Sequence, residues 1–153
     1  MRRDSRLSGV LHVLLHMAEA GKPLTSETLA KAMHTNPVVV RRVMSGLREA
    51  GFVHSVKGHG GGWSIARDLS AVSLYDIYIA LGAPEPFALG NRTENPQCLV
   101  EQSVNAALDD AFREAEALLL KHMRTVSLAS LAEDFKKRFA AHGANRKDIS
   151  HDL

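Results

Sequence analysis

A chain of 153 residues that is 45% apolar and 24% charged suits one compact core, or a small domain with an oligomerisation arm, and is too apolar for wholesale disorder. Its net charge of +2 hides an asymmetry: residues 1–67 hold 10 Lys and Arg against 4 Asp and Glu, and residues 68–153 hold 9 against 13. The basic half suits a polyanion whose counterions it can displace. The single cysteine excludes an intrachain disulfide framework, and with no signal segment and no run near the roughly 18 apolar residues of a membrane span, a cytoplasmic protein is expected.

Leu7, Val10, Leu11, Leu14, Leu15 and Ala18 recur at helical spacing, which predicts an amphipathic helix over residues 5–19 ending before Gly21. His12 and His16 stand one turn apart on it. Such a pair can share a metal, but nothing nearby in sequence completes a ligand set, so they read as surface or boundary histidines.

Thr25 is a candidate N-cap, and Glu27 suits the positive end of the helix that follows. Leu29, Ala30 and Met33 turn inward. A second helix starts with Asn36 as cap and Pro37 at the first position, where a missing N–H costs nothing. Val40, Val43, Met44 and Leu47 form its buried stripe, and Gly51 takes the left-handed cap. That stripe turns Val38, Val39, Arg41, Arg42, Ser45 and Arg48 outward. At the leading end of a recognition helix, an exposed valine can meet a thymine methyl group, and an arginine can read guanine or grip phosphate. The alternative for one of the valines is packing against the preceding helix.

Two short strands are predicted over residues 52–56 and 63–67, joined by the tip Lys57-Gly58-His59-Gly60-Gly61-Gly62. The glycines allow close backbone approach to phosphate or to the minor groove. They do not make a nucleotide loop, because the lysine precedes them and no Gly-Lys-Ser/Thr ending opens a helix. Trp63 is expected to anchor the ribbon to the domain. Helix, turn, helix and glycine-tipped ribbon in this order make a winged helix-turn-helix, which docks on DNA. The candidate DNA contacts are Thr25, Ser26, Pro37, Val38, Val39, Arg41, Arg42, Arg48, Lys57, His59 and Gly60.

Ser73-Leu74-Tyr75-Asp76 carries the pattern of a capping box for a short helix that Gly82 ends. Residues 83–95 form a long loop rich in proline and turn formers. Asn95-Pro96 is expected to start a helix running to about residue 124, with Val104, Leu108, Ala111, Ala115 and Leu118 in a coiled-coil seam widened by Phe112 and Leu119. About 27 residues at 1.5 Å each give an arm of about 40 Å, and pairing of two such arms about a twofold axis would cover the seam. Ser127 caps a last helix bearing Leu128, Leu131, Ala132, Phe135 and Phe139. The fold class expected is mainly α with a small β-hairpin wing: a winged domain over residues 1–82, a loop over 83–95, a dimerisation helix and final helix over 96–142, and a polar tail over 143–153.

With these pieces in order, the chain up to about residue 139 resembles the Rrf-two type of winged helix-turn-helix regulators, the family of IscR, NsrR and CymR. The match is carried by Leu47-Arg48-Glu49-Ala50-Gly51-Phe52-Val53, Ser55-Val56-Lys57-Gly58-His59-Gly60-Gly61-Gly62-Trp63, Pro96-Gln97-Cys98-Leu99 and Val126-Ser127-Leu128-Ala129-Ser130-Leu131. The resemblance implies a homodimeric transcriptional regulator, of repressor type, on a palindromic operator in double-stranded DNA. Many members hold an iron–sulfur cluster through three cysteines before the long helix. Here only the last is present, as Cys98, with Asn91, Arg92 and Glu94 in the loop before it, Glu101 where IscR has a histidine ligand, and Ser8 where NsrR-like members place a carboxylate. His12 resembles a helix-one ligand of an unusual member. One thiolate per protomer is a poor match for clusters normally held by cysteines, so a resident cofactor is disfavoured, and a cluster-sensing regulator with non-cysteine ligands is the alternative. Arg41 stands where IscR carries a discriminating glutamate, which implies a different operator.

Cys98 then has two readings: a small residue retained from a cluster-binding ancestor, or a sensor of oxidants or electrophiles. At a helix start the macrodipole favours the thiolate, and with no second cysteine oxidation must end in an adduct, a sulfenic acid or an intersubunit bond. A thiol enzyme would need a base and an oxyanion site beside Cys98, and no histidine lies near it in sequence. A ligand-gated regulator would need a pocket near Tyr75, Tyr78 and Phe87, aromatics that more often form core.

Overall fold

The computed structural model describes residues 4–142, and the tail expected from residue 143 lies outside them. Helix α1 (Arg6–Ala20) carries Val10, Val13, Leu14 and Met17 into the core and stops at Gly21, whose φ of 61° closes the helix in the left-handed region. In α2 (Ser26–Ala32) the Thr25 hydroxyl accepts the Thr28 N–H at 3.2 Å. In α3 (Pro37–Glu49) the Asn36 side chain accepts the Val39 N–H at 3.0 Å, with Pro37 at the first position. Val40, Met44 and Leu47 of α3 are fully buried against Leu29 of α2 and the α1 stripe, each such side chain contributing about 1.5–3 kcal/mol over an exposed one. Val43 packs at the margin of this core.

Strands β1 (Val53–Val56) and β2 (Gly62–Ile65) pair antiparallel, Val53 opposite Ile65 and Val56 opposite Gly62. Leu24 adds a single bridge to the far side of β2: its N–H donates to the Trp63 carbonyl at 3.0 Å and its carbonyl accepts the Trp63 N–H at 2.8 Å. This approach requires glycine at 62, where φ is 146° and a Cβ would overlap the Leu24 carbonyl. After a single 3-10 turn (Leu69–Ala71), α4 (Leu74–Ala80) begins with the expected capping box: Ser73 N–H donates to Asp76 at 2.8 Å and the Asp76 N–H to the Ser73 hydroxyl at 3.1 Å.

Helix α5 (Leu99–Thr125) has 27 residues but starts three residues later than expected from Asn95-Pro96. Cys98 is its N-cap, in extended conformation, and the first ladder bond runs from the Gln102 N–H to the Cys98 carbonyl at 3.0 Å. The Pro96 carbonyl is taken instead by the Gln102 side chain at 3.0 Å. Helix α6 (Leu128–Ala141) is capped by Ser127, whose hydroxyl accepts the Ser130 N–H at 3.1 Å.

The junction between α5 and α6 is clipped to the winged domain. The Leu74 N–H donates to the Val126 carbonyl at 2.9 Å and the Leu128 N–H to the Val72 carbonyl at 2.8 Å. Leu128 enters the same core as Leu14 and Leu47, with Leu131 packed against it, and Lys136 reaches Glu19 of α1 at 3.6 Å. The unit expected over residues 96–142 therefore divides: α6 returns to the first core, and α5 is the element that extends.

Within the described residues α5 buries only Asn105 and Met123. Asn105 donates to the Thr93 carbonyl at 2.7 Å and Asp109 accepts from Asn91 at 2.7 Å, which tie the preceding loop onto that face. The seam is about a third of a turn away by helical geometry. Val104, Leu108, Leu118 and Leu119 remain 50, 38, 69 and 36% exposed.

Candidate nucleic-acid interface

Burial of Val40, Val43, Met44 and Leu47 sets which side of α3 faces out. At 3.6 residues per turn, Val38, Arg42 and Ser45 lie opposite that stripe, Val39 on one flank and Arg41 and Arg48 on the other. Val38 and Val39 are both exposed, at 61 and 39%, so neither is absorbed by packing against α2. Two β-branched groups left in water at the leading end of a helix weaken it slightly and give the helix an apolar contact surface beside two arginines.

The arginines are held differently. Arg41 donates from Nη2 to Glu27 Oε1 at 2.9 Å, linking the two crossed helices through an exposed pair. The Glu27 carboxyl is held below the usual carboxylate range, first by its own backbone N–H and then by the Arg41 charge. Arg42 is exposed on the outward face. Arg48 lies with its guanidinium 5.9 Å from the centre of the Trp63 ring, a cation–π distance that places it at the root of the wing.

Trp63 anchors the wing as expected. Its ring is 8% exposed, and its Nε1–H donates to the Ser26 hydroxyl at 3.0 Å. That bond corrects the reading of Ser26 as a DNA contact. Ser26 is itself buried, and its hydroxyl satisfies an indole N–H that would otherwise be desolvated without a partner. Thr25 and Pro37 sit beside their helix starts, Thr25 exposed and Pro37 half-buried. Lys57, His59 and Gly60 are exposed at the wing tip, where a turn closes from the Gly61 N–H to the Gly58 carbonyl at 3.0 Å. A Cβ at Gly61 would overlap the Val56 carbonyl, so the tip is built on glycine. The sequence pattern marked Glu27 only as a charge suited to its helix start; its tie to Arg41 spans two helices and leaves no periodic signal.

Cys98 is exposed and caps α5 instead of lying within its first turn. The N–H of Glu101 first, and of Val100 second, hold its thiol below the ordinary range, without closing a capping hydrogen bond. The donors around it do not fit an iron–sulfur cluster within one protomer. The chain has one cysteine, Asn91 is engaged with Asp109, and His12 and His16 hydrogen-bond each other through Nε2 at 2.8 Å. Among the described residues no group of three His, Cys, Asp or Glu side chains is placed to hold a metal. Tyr78 is core, as its alternative reading required: it is 5% exposed, its hydroxyl donates to the Pro84 carbonyl at 2.7 Å, and burial pushes its pKa up. Arg124 lies 3.8 Å over the Tyr75 ring.

Comparisons with known proteins place this geometry. The model of the Rrf2 family, described as iron-dependent transcriptional regulators, matches residues 3–134. YwnA of Bacillus subtilis (strain 168), named as an HTH-type transcriptional regulator, is 31% identical over 125 residues, covering 82% of this chain and 92% of that one. A crystal structure described as that of a DNA-binding protein superposes with a TM-score of 0.64 at 30% identity, covering 83% of this chain and 98% of its own. IscR of T. potens superposes with a TM-score of 0.66 over 90% of each chain at 15% identity, a likeness of fold alone. No helix among the described residues is long and apolar enough to cross a membrane. With its winged helix-turn-helix and a family match across residues 3–134, the chain belongs to the Rrf2 family and is a DNA-binding transcriptional regulator, not an enzyme.

Proposed function

We propose that the protein acts in the cytoplasm as a homodimeric repressor, placing α3 of each protomer in successive major grooves of a palindromic operator with the wing against the flanking backbone. The observation that carries the reading is a pair of exposed surfaces that the fold leaves without partners. One is the Val38, Val39, Arg42 and Lys57 face of the winged domain; the other is the apolar seam of α5. The first suits base edges and phosphate. The second suits a copy of itself, because a long helix with a heptad-spaced stripe buries that stripe most simply against the same stripe across a twofold axis.

Sedimentation of the purified protein, followed by fluorescence anisotropy on selected duplexes at several salt concentrations, tests both halves. A dimer whose affinity falls steeply with salt is expected. A monomer, or an affinity indifferent to salt, overturns the reading.

The signal is proposed to arrive at Cys98 as an oxidant or electrophile, with no resident cluster. Support comes from its exposure and from the backbone N–H groups that favour its thiolate. An adduct there stands at the start of α5, the helix that would set the spacing of the two recognition helices. Absorbance of freshly purified anaerobic protein between about 320 and 450 nm checks the cofactor half, since iron–sulfur clusters absorb in that region. A band there that is lost on exposure to air would replace the thiol reading with a cluster held by non-cysteine ligands.

A further inference from the structure

We infer that Glu27 is a specificity-positioning residue: its ion pair orients Arg41 so that the guanidinium presents its free edge to a guanine in the major groove. The inference rests on the operator reading above and goes beyond it by naming how one base is chosen. Glu27 and Arg41 lie 14 residues apart, on the two helices that cross at the DNA face, and meet at 2.9 Å with side chains 61 and 55% exposed. An ion pair this wet contributes little to stability, so holding the fold does not explain it. Its effect is to restrict a long, rotamer-rich side chain.

Arg41 is exposed at the edge of the outward face, beside Ser45 and in the first half of the helix, where recognition-helix residues reach base edges. The bond to Glu27 uses one Nη2 hydrogen and leaves a two-pronged N–H edge, which matches guanine O6 and N7. A flexible arginine would be equally content on phosphate. A buttressed one is aimed before DNA arrives, so less freedom is lost on forming the contact. Arg42, on the outward face and with no carboxylate partner among the described residues, takes the phosphate role.

The experiment is selection from a randomised duplex library with the full chain as wild type, Glu27→Gln, Arg41→Gln and Arg41→Lys. The wild type is expected to enrich a palindrome with guanine at one symmetric position. Arg41→Gln and Arg41→Lys should lose that preference by about tenfold or more, because neither keeps the planar charged fork. Glu27→Gln should lose it by several-fold while preferences elsewhere in the site persist and affinity for unselected duplex stays level or rises. If Glu27→Gln keeps every base preference and tightens all duplexes alike, Glu27 is only a phosphate-repelling charge and the inference is overturned. A Glu27→Gln protein that loses preference at every position also overturns it, as a general disturbance of the domain. A wild type that enriches no sequence removes the operator reading itself, and this inference with it.

Discussion

Helices α3 and α5 carry apolar residues at the same helical periodicity and give them opposite fates. In α3 the stripe Val40, Met44 and Leu47 is fully buried by α1, α2 and the wing root, so that half of the molecule is complete within one chain. In α5 the stripe from Val104 to Leu118 stays in water, and what the helix buries is a different face, turned to the loop and α4. A pattern of apolar spacing therefore states that a face must be covered. It does not say by what. For α3 the answer is in the same chain; for α5 no described residue supplies it, and the proposed second copy would.

The sharpest way to break this contrast is to place charge in the seam. Leu108→Glu combined with Leu118→Glu should yield a monomer by sedimentation while far-UV circular dichroism keeps the winged domain's helical signal. Operator affinity should fall by about a hundredfold or more, since two linked half-site contacts become independent ones. If the double variant still sediments as a dimer, the seam is not the interface.

A second comparison concerns stability. Leu47→Ala removes a fully buried side chain and should cost about 2–5 kcal/mol in denaturant unfolding, at any protein concentration. Leu118→Ala, at a side chain 69% exposed in the protomer, should cost stability only as protein concentration rises into the dimer range, because the proposed dimer is what would bury it. Equal and concentration-independent losses at the two positions would erase the distinction.

The DNA-facing side gives a smaller effect. Arg42→Ala and Lys57→Ala each remove one cation per protomer, both exposed. Each should lower the slope of log affinity against log salt by about two per dimer, weakening all duplex sequences nearly alike. A substitution that instead changes which sequence is bound would move that residue from backbone grip to base reading.

How much of this was legible beforehand follows from range. Caps and stripes are local, so Thr25, Asn36, Ser73 and Ser127 could be read as helix starts, and each accepts the N–H its position requires. Asn95-Pro96 carried the same local signal, yet α5 begins at Leu99, and the Pro96 carbonyl is taken by the Gln102 side chain instead of by a helical N–H. Contacts that cross the fold left no spacing to read. Ser26 belongs to Trp63, 37 residues away. Glu27 belongs to Arg41 on the next helix, and Leu128 returns to a core built from residues before 80. The pattern identified the pieces of the reader; their mutual bonds required the fold.

The smallest expected effect lies at Cys98, where the complete half and the incomplete half meet in sequence. Cys98→Ser in reducing buffer should leave operator affinity within about twofold of wild type, the range of an exposed substitution that removes no packing. The difference should appear only on challenge: peroxide or a quinone should release the wild type from DNA and leave the serine variant bound. The chemistry has its own check. Because the Glu101 and Val100 N–H groups favour the thiolate, the rate of alkylation by iodoacetamide should rise with pH and level off at a lower pH than for an ordinary cysteine thiol, since only the deprotonated sulfur reacts. A half-rate pH at or above that of a free thiol would show that the backbone at the start of α5 does not activate this sulfur. Cys98 would then be a small residue at a helix cap, and the signal would have to enter elsewhere.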